Sequence, residues 1–115
     1  MKKKNIFYKI INKKIPSKII YQDKEITAFE DINPQSPIHI LIVPNKRIKS
    51  INEINEKNKN IIGNMISASV KIAKKLKFAK NGYRIVINCN KHGRQTVQHL
   101  HIHLLGGKML GKKFN

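Results

Sequence analysis

The chain has 115 residues, 40% of them hydrophobic but only 6% aromatic and none of them Trp, so it can build one modest, mainly aliphatic core. Its formal charge of +18 is carried by 24 basic residues, only three of them Arg, against six acidic ones. The lysines are scattered, and Ile, Lys and Asn together supply 55 of the 115 residues, so the charge reads as a solvated surface shaped by A/T-rich codons and no specific nucleic-acid partner is expected.

In chain order, Met1-Lys2-Lys3-Lys4 has the charged start of a secretory signal. Lys9 and Lys13-Lys14 interrupt the apolar run that should follow, so no signal is expected. Asn5 can cap a short helix to about Lys13 with Ile6, Phe7, Ile10 and Ile11 on one face, ended by Pro16. Ser17 to Tyr21 and Glu25 to Glu30 read as a hairpin, and Asn33 to Pro37 as a loop. Ile38 to Val43 is a buried β-type run. The charge-free stretch from Ile32 to Asn45 contains prolines and is too short to span a bilayer, which points to a soluble, cytoplasmic protein without membrane contact.

Ser50-Ile51-Asn52-Glu53 has the pattern of a capping box. Ile61, Ile62, Met65, Ile66, Ser69, Ile72, Ala73 and Leu76 recur at helical spacing and predict the main helix. Asn81-Gly82 is a turn, Tyr83 to Asn88 a strand, and Asn90 to Arg94 a polar loop. Between them Cys89, the single cysteine, excludes an intrachain disulfide and a cysteine-based zinc site, and reads as a buried, inert thiol. A last strand is predicted from about Thr96 to Leu105, broken by Gly106-Gly107. With no repeat or linker, residues 1–115 read as one α+β domain with a mainly antiparallel sheet.

That last strand carries the chemistry. Alternation would set Val97, His99, His101, His103 and Leu105 on one face and Gln98, Leu100, Ile102 and Leu104 on the other. Three of the five histidines would then stand about 7 Å apart at Cα. Imidazole transfers protons near pH 7 and, when neutral, is a nucleophile whose phosphoryl adduct water can attack. The same rings could instead be the polar side of an edge strand, or hold zinc with His39 as a third ligand. Residues 57–115 contain no carboxylate to ligate such a metal, so neither metal nor cofactor is expected.

The run Gln95-Thr-Val-Gln-His-Leu-His-Ile-His-Leu-Leu-Gly-Gly107 resembles the histidine triad (HIT) signature, specifically the Hint-type purine nucleotide-binding hydrolases. Ile6-Phe7-Tyr8-Lys9-Ile10-Ile11 with Ile15-Pro16-Ser17, and Phe29 to His39, are similar to two further blocks of that family, so the resemblance spans Asn5 to about Gly107.

The resemblance implies a five-stranded, mainly antiparallel sheet with one long and one short helix, continued across a homodimer. It implies a purine nucleoside phosphoramidate hydrolase that cleaves AMP-amine or AMP-lysine conjugates, or those of GMP, through a nucleotidyl-histidine. His101 would be the nucleophile and would also touch the nucleotide. His99 and His103 would orient it and hydrogen-bond phosphate or leaving group, with His39 in support. Ile6, Phe7, Ile10, Phe29 and Ile32 would form the purine slot, Asp31 would accept from the ribose hydroxyls, and Asn88, Gln95 and Thr96 would bind phosphate. The alternatives are a dinucleoside polyphosphate hydrolase, disfavoured because Leu105 stands where that branch has a polar residue, and a nucleotide-binding protein with little activity. Two departures stand out: Arg94 replaces a usual Gly, and Leu110 to Asn115 is a short basic tail.

Overall fold

The computed structural model describes residues 6–113. Along the chain run helix α1 (Ile6–Ile11), strands β1 (Ile19–Gln22), β2 (Ile26–Glu30) and β3 (Ile38–Pro44), a single 3-10 turn (Ile51–Glu53), helix α2 (Asn60–Lys75), and strands β4 (Arg84–Val86) and β5 (Ile102–Gly106). The strands form one antiparallel sheet in the order β1-β2-β3-β5-β4, which is the expected α+β class. No helix of the described residues is long and apolar enough to cross a membrane.

Alternation along the central strands sorts the core into two. Ile26, Ala28, Ile40, Ile42, Ile102 and Leu104 face one way and pack with Met65, Ala68, Ile72 and Ala73 of α2. Phe29, Leu41 and Val43 face the other way and pack with Phe7 and Ile10 of α1. The Asx turn at Asp23 sets the β1–β2 hairpin, its Oδ1 accepting from the N–H groups of Glu25 and Ile26 at 2.8 Å each. Ser50 caps the 3-10 turn through its Oγ, which accepts from Asn52 N–H at 3.2 Å.

Several sequence expectations need correction. α1 stops at Ile11, well before Pro16, because Lys13 turns left-handed (φ 58°) and Lys14 N–H closes back on Lys9 O at 2.8 Å. Within α1 Ile6 is exposed while Phe7 and Ile10 are buried, and the proposed cap Asn5 lies outside the described residues. Strand β4 is shorter than its predicted span, and Cys89 is half-buried.

The largest difference concerns the last strand. Regular pairing with β3 begins only at Ile102, opposite Ile42. Upstream, the backbone finds local and cross-loop partners: Gln95 N–H donates to Asn90 O (2.9 Å), His99 N–H to Val97 O (2.8 Å) and Leu100 N–H to Ile48 O (2.6 Å). Residues 96–101 are therefore a folded-back segment that leads into β5, and strict alternation does not extend through His99 and His101. At the far end Gly107, at φ +92°, turns the chain out of the sheet, a conformation few other residues adopt.

Candidate active site

The β5 register places His103 opposite Leu41 and Leu105 opposite His39, so His39 and His103 lie diagonally on the same sheet face. His39 Nε2 and His103 Nδ1 are 2.9 Å apart. Gln35 N–H donates to His39 Nδ1 at 3.0 Å. Neutral His39 must therefore carry its proton on Nε2, donate it to His103 Nδ1, and leave neutral His103 with its proton on Nε2.

His101 is fixed differently. Its Nδ1 is 2.6 Å from His99 O, so Nδ1 carries the proton and the lone pair is left on Nε2. The ring is 5% exposed and lines the cavity under α1 described below, where the Nε2 lone pair is what it has to offer. The His101 and His103 rings are 4.9 Å apart, and Phe7 of α1 stands edge-on to His101 at 5.0 Å. The rings thus form a contiguous row although no single strand carries them.

His99 corrects a second expectation. It is 1% exposed, its Nε2 donates to Pro44 O at 2.8 Å, and its ring packs at 5.7 Å against Phe7. It lies behind His101 and reaches neither cavity described below; what it offers His101 is its carbonyl. Burial holds the basicity of all four imidazoles down. For His103, burial and then the neighbouring His101 and His39 lower the pKa to about 4. The 3.5 Å approach of His39 Nε2 to Asp31 Oδ2 is accordingly not an ion pair at neutral pH, because burial outweighs the attraction of Asp31 and keeps His39 neutral.

Two cavities meet at His103, His39 and Gln35. One, of about 470 Å³, lies under α1. Of the residues expected to hold a nucleotide, Ile6, Phe7, Ile10, Phe29, Asp31, Ile32, Thr96, His101 and His103 all line it. Ile32 is 82% exposed and stands at its mouth. Asp31 Oδ1 accepts from Asn33 N–H at 2.7 Å, which fixes the carboxylate and leaves lone pairs to spare.

The other cavity, of about 610 Å³, opens toward β4 and the C-terminal residues, and it is here that Asn88 lies. One Asn88 amide hydrogen is committed to Gly93 O at 2.7 Å. Gln95 lines neither cavity. Its amide donates to Lys49 O and Val97 O at 2.8 and 2.9 Å and accepts from Asn90 N–H at 2.8 Å, so it is a loop clamp whose side chain has no capacity left for a phosphate.

Sequence reasoning missed Leu41, Val97, Ser17 and Gln35 as wall residues. Leu41 was findable, since it alternates with His39. Gln35 acts on His39 through its backbone, which no side-chain pattern reveals. Asp31, His39 and His103 also present ligand atoms within 4.8 Å of one another, so a divalent cation would find three donors there once the His39–His103 hydrogen bond gave way.

Fold and ring geometry agree with the sequence comparisons. Residues 12–110 match the HIT domain, and the chain belongs to that family. It is 73% identical over 108 residues to an uncharacterized HIT-like protein of Buchnera aphidicola subsp. Baizongia pistaciae, covering 94% of this chain and 96% of that one. It is 49% identical over 111 residues to the purine nucleoside phosphoramidase of Escherichia coli K12, covering 96% and 93%. A solved HIT family hydrolase from Clostridium thermocellum superposes over the whole of both chains with a TM-score of 0.94 at 43% identity.

Proposed function

We propose that this protein is a purine nucleoside phosphoramidase, cleaving the P–N bond between a purine nucleoside monophosphate and an amine. One observation carries the reading: His101 Nδ1 is held by a backbone carbonyl, which leaves a nucleophilic lone pair on Nε2 at the wall of an apolar cavity. The 49% identity to the E. coli phosphoramidase supports the reaction type. The base lies between Ile6, Phe7, Ile10, Phe29 and Ile32, and Asp31 accepts from the ribose hydroxyls.

In the first step His101 Nε2 bonds to phosphorus as the P–N bond breaks. The phosphate anion beside His103 offsets its loss of basicity, so His103 takes up a proton with the substrate and passes it from Nε2 to the leaving nitrogen. His39 holds His103 in the required orientation. In the second step water attacks phosphorus and gives a proton to His103. The His101–phosphorus bond breaks, the nucleotide leaves, and His103 releases its extra proton to solvent, which restores both imidazoles. This chemistry asks for no metal. The reading includes a cytoplasmic homodimer, for which the three-residue edge strand β4 offers backbone groups to a second copy.

A fluorogenic AMP phosphoramidate tests it. Turnover should be unchanged by a chelator, and rapid quenching in alkaline denaturant, which preserves the acid-labile histidine–phosphorus bond, should capture protein heavier by one adenylyl group, with the label on His101. Failure to turn over the substrate, or loss of activity on chelation, overturns the reading.

A further inference from the structure

The two cavities that meet at His103 differ in charge. The one under α1 is lined by Glu30 and Asp31 and by no Lys or Arg. The one toward β4 is lined by Arg84, Lys108, Lys112 and Lys113 and by no acidic residue. Net charge alone does not produce this division, since a uniformly basic surface would line both. The sheet register explains Arg84: it pairs with Leu105, and Val86 with His103, so Arg84 is two residues from the chemistry along the same face. Arg84 Nη2 then donates to Gly111 O at 2.6 Å, which draws the segment 108–113 and its lysines across the cavity. A guanidinium has five donor hydrogens, so others remain for a ligand.

A substrate attacked by His101 from the α1 side leaves along the opposite direction, past His103. From this we infer that the second cavity is the leaving-group subsite and that it selects amines bearing a negative charge, a carboxylate on the amine's far end being the chemistry that fits. The inference rests on the phosphoramidase reading. It also sets free lysine side chains, whose far end in a protein is uncharged, below small amino acids as leaving groups.

The test uses three AMP phosphoramidates of equal length, made from 4-aminobutanoate, butylamine and 1,4-diaminobutane, with diadenosine tetraphosphate as a fourth arm. At low salt kcat/KM should fall in the order carboxylate, neutral, ammonium, with about tenfold between the ends, the size expected of a few partly exposed ion pairs. The spread should shrink at 1 M salt, where charges are screened within about 3 Å. The double substitution Lys108→Glu with Lys112→Glu should reduce or reverse the carboxylate-to-ammonium ratio. Equal turnover of the three conjugates, or an ammonium preference at low salt, overturns this inference and leaves the phosphoramidase reading standing. Faster turnover of diadenosine tetraphosphate than of the carboxylate conjugate overturns the choice of an amine. No turnover of any conjugate sinks the underlying reading instead, and this inference with it.

Discussion

On one face of the sheet the sixteen-residue α2 lays Met65, Ala68, Ile72 and Ala73 over Ile40, Ile42, Ile102 and Leu104. On the other, the six-residue α1 supplies Phe7 and Ile10 over Phe29, Leu41 and Val43, and leaves a cavity beside them. The same period-two pattern serves both. Each aliphatic residue seated under α2 fixes a neighbour on the opposite face, so Ile102 and Leu104 hold His103 and Leu105 in place. The closed face supplies rigidity and the open face supplies chemistry. Substitutions on the two faces should therefore separate stability from rate.

The sharpest separation is expected at His101. His101→Ala should lower turnover of an AMP-amine conjugate by at least about a thousandfold, as loss of a nucleophile does, while AMP binding by calorimetry stays measurable. Near-normal turnover would remove the nucleophile from the open face. On the closed face Leu104, fully buried, should behave in the opposite way. Leu104→Ala should cost about 2–5 kcal/mol of stability in urea unfolding and leave kcat per folded molecule close to wild type. A collapse of kcat at unchanged stability would mean that the two faces are not separable in this way.

Acid should expose the same contrast through protonation. Burial, complete or partial, lowers the basicity of all four imidazoles, that of His103 to a pKa of about 4. A His with a depressed folded pKa binds fewer protons folded than unfolded. For His103 the resulting penalty is absent above about pH 6.5, grows as pH falls, and levels off below about pH 4. Because His103 is partly exposed, screening trims its contribution, and His103 alone is expected to cost on the order of 2 kcal/mol between pH 7 and pH 4.5. The urea midpoint checks this, and His103→Asn should flatten the decline. An unchanged midpoint across that range would show that the imidazoles are not held neutral by the fold.

How much of this was legible follows the same division. Helix α2 was readable because burial on one side imposes a helical period on the sequence, and β2 and β3 because they are short apolar runs buried on both faces. His39, His101, His103 and the α1 cavity walls were readable from the triad and its resemblance. The local path through 96–101 was not, because its hydrogen bonds to Ile48 and Pro44 go to a loop and to the last residue of β3, partners that no periodicity registers. For that reason His99 looked like a third ring facing substrate and proves to be a buried support. Gln95 was expected to bind phosphate only through the resemblance, and its three side-chain hydrogen bonds within the fold leave its amide no hydrogen to give.

The smallest effect concerns the loop between β4 and that segment, where two adjacent residues should respond in opposite directions. At Gly93 a Cβ would sit 2.5 Å from Cys89 O and 2.7 Å from Cys89 N, both backbone atoms that cannot swing aside. Gly93→Ala should therefore destabilise by about 1–3 kcal/mol, the cost of overpacking a tight site. Arg94 holds φ +66°, a left-handed conformation that costs a side-chain-bearing residue about 1 kcal/mol. Arg94→Gly relieves that strain but gives the unfolded chain more freedom, so the net gain should be below about 1 kcal/mol. Thermal melts of the two variants decide the matter. If Arg94→Gly destabilises by as much as Gly93→Ala, the Arg94 side chain makes contacts that outweigh its backbone strain, and the loop is held from its outer side as well as through Asn88 and Gln95.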